Sequence, residues 1–339
     1  MLDLAATNLL SPAVLCFALG AAAVFLRSDL RLPEPVFAAL SIYLMLAIGM
    51  KGGVELSERP LGELAAPMAA GLLLGCLIPL GCFALLRRFA GLSIPDAAAM
   101  AAHYGSVSAV TFAAVTAFLD AQQVPYEGHV AALLAVMEIP AIVVAIALAQ
   151  MPMLVSASYA GGGGAALSLR QGAAPSEGLA GVISNAMASK SVVLLGGGLA
   201  IGVLIGPTGM TKVKPLFVDL FPGLLCLFLL ELGRLAASRI GDFRQVGLKL
   251  AVFAIAMPVV HAMLGITLGE AIGLSMGGAV VLGTLAASSS YIAAPAAVRL
   301  ALPEANPSYY LTCSLALTFP FNIVVGLPLY SAFAGWLYA

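Results

Sequence analysis

Apolar residues run through this chain in stretches of membrane-spanning length, and a water-soluble fold could not bury so many of them. Ten such runs are legible, at about 11–26, 35–50, 64–86, 95–119, 129–151, 189–205, 216–236, 246–268, 274–300 and 309–337. A crossing needs about 20 apolar residues to cover roughly 30 Å of hydrocarbon. The spacing therefore predicts an all-α integral membrane protein with ten transmembrane helices. Only 9% of residues are charged, against roughly 25% in an ordinary globular domain. There is no basic run beyond Arg87–Arg88, so nothing points to nucleic acid. The opening MLDLAATNLLSP has no basic stretch, so the first apolar run is expected to be retained rather than cleaved.

The two halves echo each other. Pro79 corresponds to Pro258 at an offset of 179, and Gly49 to Gly233 at 184. Gly105–Ser108 (GSVS) corresponds to Ala287–Ser290 (ASSS) at 182, and Pro140 to Pro320 at 180. Four matches in order at nearly constant offset predict a duplicated five-helix unit. An odd number of spans per copy makes the copies inverted. The expected organisation is a first repeat over 1–155, a Gly/Ser/Ala-rich linker over 156–178 and a second, inverted repeat over 179–339. Charge supports an even span count. Eleven of the 15 Lys and Arg residues fall after odd-numbered spans: Arg27, Arg31, Arg87, Arg88, Arg170, Lys190, Arg234, Arg239, Arg244, Lys249 and Arg299. Lys51, Arg59, Lys212 and Lys214 fall on the other side. The positive-inside rule then puts the linker in the cytoplasm and both termini outside a bacterial inner membrane.

Two serine-rich runs, HYGSVSAVTF (His103–Phe112) and LAASSSYIAAP (Leu285–Pro295), sit where spans should be featureless. Hydroxyls this dense at bilayer depth predict two broken helices facing each other. A restarted helix presents orphan N–H groups and a partial positive charge, which suits an anion without a buried Lys or Arg. The candidate anion ligands are Gly105, Ser106, Val107 (backbone only) and Ser108 in the first break, with Thr111 beside them. In the second break they are Ala287, Ser288, Ser289 and Ser290, and Pro295 suits the restarting turn. Charge-assisted hydrogen bonds of roughly 1.5–3 kcal/mol each suffice for a micromolar-to-millimolar site, which needs about 4–8 kcal/mol. A second reading of the same residues is that Ser, Ala and Gly let helices pack closely.

Glu138, deep in the fifth span beside Pro140, is a candidate for cation coupling through Na⁺ or a proton, or else a structural hydrogen-bonded acid. Its repeat counterpart is Thr318, near Asn322, which offers neutral oxygens. Glu231 and Arg234 read as a structural helical pair. His103 and His261 read as packed histidines, His103 bordering the first break. The five cysteines are scattered singly and suggest packing, not a metal or thiol centre. With no nucleophile–base constellation and no phosphate loop, the chain is not expected to be an enzyme, or a pump driven by ATP.

VVLGTLAASSSYIAAPAAVRLALPEANPSYY (Val280–Tyr310) is similar to the signature stretch of the sodium-dependent bicarbonate permease family of the cyanobacterial SbtA type. HYGSVSAVTFAAVTAFLD and MEIPAIVVAIALA resemble its first-half segments, and the likeness extends along nearly the whole chain outside the linker. The resemblance implies a core of spans 3, 4, 5, 8, 9 and 10 and a gate of spans 1, 2, 6 and 7. It also implies an elevator-like mechanism, a homotrimer, Na⁺-coupled bicarbonate uptake and a PII-like cytoplasmic regulator. Its anion site falls on Gly105, Ser106, Ser108, Ser288, Ser289 and Ser290, and its fifth-helix carboxylate on Glu138. Where the family has Asp after the triple serine this chain has Tyr291, a phenol in place of a hard ligand, and the second glycine of the first-half motif is Ala109. Other expectations to weigh are a permease for another small anion coupled to protons, and a non-transporting sensor that docks a cytoplasmic partner.

Overall fold

Backbone that crosses hydrocarbon must satisfy its own N–H and C=O groups, which favours helices, and the computed structural model is helical with no strand among the described residues. It describes residues 2–58, 60–160, 181, 184–185 and 187–339. In order these are α1 (Leu2–Leu9), α2 (Pro12–Phe25), α3 (Glu34–Ser57), α4 (Leu61–Leu85, continued by a π turn over Leu86–Ala90), α5 (Ile94–Gly105) and α6 (Ala109–Ala121). Then come α7 (Ala132–Ala160), α8 (Lys190–Lys214), α9 (Phe221–Ser238), α10 (Phe243–Ala271), α11 (Met276–Ala287) and α12 (Ala294–Ala301). The last rod, α13 (Pro307–Leu337), contains π turns at Thr312–Thr318 and Asn322–Gly326.

Among the described residues, six helical stretches are long and apolar enough to cross a membrane: Glu34–Ser57, Gly62–Ala90, Ile94–Ala121, Gly128–Gln150, Lys190–Ala271 and Pro307–Leu337. Pro12–Phe25 and Met276–Ala287 are shorter apolar helices, and the run Lys190–Ala271 holds three successive helices, α8 to α10. The first five residues of the expected linker, 156–160, continue α7, while 161–178 lies outside the described residues.

Local signals start these helices. Ser11, Ser93, Ser189 and Ser275 each accept a backbone N–H from the first turn that follows, the usual N-cap role of serine. Small residues then set the close contacts. Gly49 and Gly53 on α3 face Gly198 and Gly202 on α8, and a Cβ on Gly53 would stand 2.1 Å from the Leu199 carbonyl oxygen. The α2–α9 pair is as tight: a Cβ on Gly233 would lie 2.0 Å from the Phe17 carbonyl oxygen, and one on Gly20 would lie 1.8 Å from that of Leu230. Without a hydrophobic drive between helices in lipid, such backbone approach supplies the packing energy. Glu231 pairs with Arg234 Nε at 2.9 Å and also accepts the Leu32 N–H at 3.1 Å, so this pair braces the α2–α3 connection.

The remaining helices are tied end to end by two carboxylates. Asp96, in the first turn of α5, accepts the Asn306 N–H at 2.8 Å ahead of α13. Glu127, ahead of α7, accepts the Ser275 N–H at 2.7 Å and its hydroxyl at 2.9 Å, at the start of α11. Each joins one half of the sequence to the other near a helix N-terminus, where negative charge is favourable. Asp96→Ala and Glu127→Ala should each lower stability by about 1.5–3 kcal/mol, read as a reduced thermal midpoint of the detergent-solubilised protein. A midpoint unchanged in both variants would mean the staples carry nothing.

Candidate functional site

The apolar runs expected at 95–119 and 274–300 are both interrupted. α5 ends at Gly105, Ser106 turns extended (φ −85°, ψ 148°), and α6 restarts after Ser108, whose hydroxyl accepts the Thr111 N–H at 3.2 Å. α11 ends at Ala287, Ser288 turns extended (φ −75°, ψ 166°), and α12 restarts at Ala294 with Pro295 in its first turn. The second interruption is longer because Ser290 Oγ, four residues back, accepts the Ala294 N–H at 3.1 Å.

The two breaks are bonded directly to each other. The Ser108 N–H donates to Ser288 Oγ at 3.1 Å, and Ser288 Oγ donates on to the Leu285 carbonyl at 2.7 Å. The Ser290 N–H donates to the His103 carbonyl at 2.8 Å. The Ser108 hydroxyl donates to the Tyr291 hydroxyl at 3.4 Å. Residues some 180 positions apart thus satisfy backbone groups that the breaks would otherwise leave stranded in a low-dielectric interior.

Two hydroxyls stay out of this network. Ser106 and Ser289 are 0% and 2% exposed, and neither Oγ has a hydrogen-bond partner. A buried unpaired hydroxyl costs about 1–3 kcal/mol. Such groups are what a polar guest would complete.

Beside the junction lies a cavity of about 20 Å³, room for one water-sized guest and too small for bicarbonate. Val107, Ser108, Ser290 and Tyr291 line it, together with Glu138 from α7 and Ser191 from α8. Glu138 is 3% exposed, Ser191 hydrogen-bonds its carboxyl, and its Oε1 has no partner. The acid, the phenol and the serines are therefore brought together.

Other candidates are placed differently. Thr318 Oγ1 bonds the Tyr104 hydroxyl at 2.7 Å and donates to the Ala254 carbonyl at 2.6 Å. Asn322 donates to the Ala287 carbonyl at 2.9 Å and accepts from the Tyr330 hydroxyl at 2.7 Å. Neither lines the Glu138 cavity; both brace the helices behind the breaks. Thr111 also lies outside that lining and contributes a backbone N–H to the Ser108 cap. Gly105 packs where a Cβ would meet Pro79 at 2.7 Å and Ala141 at 2.9 Å. His103 bonds the Ala99 carbonyl through Nδ1 at 2.6 Å and stacks on Tyr310, while His261 Nε2 sits 3.8 Å from Cys82 Sγ.

Sequence reasoning missed Ser191, Tyr104 and Asn8. Asn8 Nδ2 donates to the Ile323 and Val324 carbonyls at 2.8 and 3.3 Å, which the π turn of α13 leaves available. Pro328, four residues beyond Val324 and without an N–H to donate back, was the available signal for freed carbonyls.

Fold and site together define a multi-pass helical membrane protein organised around two interrupted helices that cap one another. The chain belongs to the Na⁺-dependent bicarbonate transporter superfamily, whose family model matches residues 12–335. No curated protein matches it.

Ser106→Ala and Ser289→Ala separate folding from binding. Each removes an unpaired buried hydroxyl, so thermal stability should hold or rise. Each also removes one charge-assisted donor of about 1.5–3 kcal/mol, so bicarbonate affinity should fall about 10- to 150-fold. Isothermal titration and a melting curve on the same sample read both. Unchanged affinity would take these hydroxyls out of the site.

Proposed function

We propose that this chain imports bicarbonate by alternating access at the junction of the two breaks, coupled to Na⁺ at the Glu138 cavity. The observation that carries the reading is the pair of unpartnered, buried hydroxyls, Ser106 and Ser289, one in each of the two breaks that the Ser108–Ser288 bond joins. The first turns of α6 and α12 add orphan amides nearby. For bicarbonate to enter, the Ser108–Ser288 and Ser290–His103 bonds must yield, and the donors they release become ligands. Gly105, Val107 and Ala287 hold backbone positions in this seat. Glu138 Oε1, Ser108 Oγ, Ser290 and Tyr291 surround a space of the right size for a desolvated monovalent cation.

Ten spans in two inverted five-helix repeats are part of the proposal, as are an inner-membrane location and both termini outside. The cross-half pairing of Asp96 with Asn306 and Glu127 with Ser275 supports the inversion, and the charge bias supports the orientation. An elevator-like movement is favoured by the way the helices pair off. α2 with α9 and α3 with α8 lock through glycines, whereas α4, α5, α7, α10, α11 and α13 pack mostly among themselves. Asn8 and Ser191 reach across between the two groups and would have to release in each cycle. The homotrimer and the PII-like cytoplasmic partner rest on the resemblance alone.

Tyr291 favours one other reading. With a phenol in place of a carboxylate beside Glu138, a proton could replace Na⁺ as the coupling ion, and a small carboxylate could replace bicarbonate. Uptake of radiolabelled bicarbonate into proteoliposomes under an inward Na⁺ gradient, an inward proton gradient or neither decides between them. The proposal expects accumulation with Na⁺. Accumulation with protons alone transfers the account to the second reading, and no uptake under either gradient removes bicarbonate as the substrate.

A further inference from the structure

An apolar groove lies on the outside of the helix bundle, away from the breaks. It has a volume of about 400 Å³ and runs between the end of α4 and the start of α10, lined by Leu86, Phe89, Leu248, Val252 and Met257, with Lys249 at its rim. Both of its walls are distorted. The last turn of α4 is wound as a π turn over Leu86–Ala90, and α10 kinks at Gly247, whose φ of 72° is in the left-handed region. The walls are open to the surroundings: Phe89, Leu248 and Val252 are 63%, 77% and 56% exposed.

One end of the groove is cationic. Arg87 and Arg88 belong to the π turn itself, and Lys249 projects from the first full turn of α10. Arg87 donates to the Leu92 carbonyl. Arg88 and Lys249 are exposed and have no acidic partner among the described residues. Away from these cations the apolar stripe continues along α10 through Ile255 and the half-buried Val259 to the exposed Met263. At 1.5 Å per residue the stripe from Leu248 to Met263 is about 22 Å long, more than the roughly 15 Å of a single leaflet's hydrocarbon.

We propose that this groove is a binding site for an anionic phospholipid of the leaflet on the Arg87–Arg88 side. The headgroup phosphate sits between Arg88 and Lys249, and one acyl chain lies in the groove and along the α10 stripe. Charge complementarity selects this occupant. A zwitterionic lipid would bring its own headgroup cation up against Arg88 and Lys249 along with its phosphate, and a free phosphate would leave the groove uncovered. Anionic headgroups lie on the face to which the charge bias assigns these residues. Because α10 packs on α11, which ends in the second break, the bound lipid is placed to steady the helix behind the substrate seat.

Quenching by brominated lipid tests this in the full chain. The sole tryptophan, Trp336, is replaced by Phe, and the exposed Phe89 is replaced by Trp as a reporter. The protein is placed in phosphatidylcholine vesicles containing equal fractions of bromo-acyl phosphatidylglycerol or bromo-acyl phosphatidylcholine. Each engaged cation should add about a fivefold preference for the anionic lipid. Arg88→Gln with Lys249→Gln should bring the two lipids to within about twofold of each other, while Arg88→Lys with Lys249→Arg should keep the preference. Equal quenching by both lipids in the starting protein overturns the proposal. So does the absence of quenching by either lipid, since the groove would then be covered by polypeptide, from a second copy or another segment of this chain.

Discussion

An interrupted helix inside a membrane depends on finding other partners for the backbone groups that the interruption releases. Here each break finds them in the other. The Ser108 amide bonds Ser288 Oγ, and the Ser290 amide bonds the His103 carbonyl, so residues from opposite halves of the chain complete one junction. Unsatisfied amides or carbonyls at that depth would cost several kcal/mol each. The serines pay for the irregular backbone locally, and they leave Ser106 and Ser289 unfilled at its edges. Folding therefore draws on a small set of donors, and a substrate seated at the junction would have to replace these internal partners with its own oxygens.

The surrounding helices divide the mechanical work. Where α2 meets α9 and α3 meets α8, backbone touches backbone through glycine, which gives rigid contacts with little room to slide. Around the breaks the ties are polar and individually weak: Asn8 to α13, Glu138 to Ser191, Tyr104 to Thr318. A bond of this kind contributes about 0.5–1.5 kcal/mol net, so a few can break and re-form at modest cost. Tyr291, where the family carries a carboxylate, stacks edge-on against Phe319 and reaches the Ser108 hydroxyl. It joins the seat to α13 without adding a charge.

The breaks were legible in the sequence because serine clusters contrast so sharply with the apolar runs around them. Glu138 stood out for the same reason. Bounds read from the apolar runs, by contrast, missed by up to nine residues, as at the sixth run, expected at 189–205 and found as Lys190–Lys214. Thr318 and Asn322 lie outside the Glu138 cavity, and their side chains are engaged by Tyr104, Tyr330 and backbone carbonyls of neighbouring helices. Those partners lie 8 to 214 positions away, and no local pattern announces them. The π turns of α13 were equally hidden. The second of them runs into Pro328, which has no N–H to give back, and the Ile323 and Val324 carbonyls are taken by the buried Asn8 instead. Ser191 was missed because a single serine near a helix start reads as a cap, and Ser189 already fills that role.

The central claim is that one anion is held between the two breaks by donors from both. A structure determined at saturating bicarbonate and Na⁺ tests it most directly. The account predicts density for a planar anion within hydrogen-bonding distance of Ser106 and Ser289, with the Ser108–Ser288 contact opened to admit it. Density for the anion elsewhere, with the two breaks still bonded to each other, would contradict it.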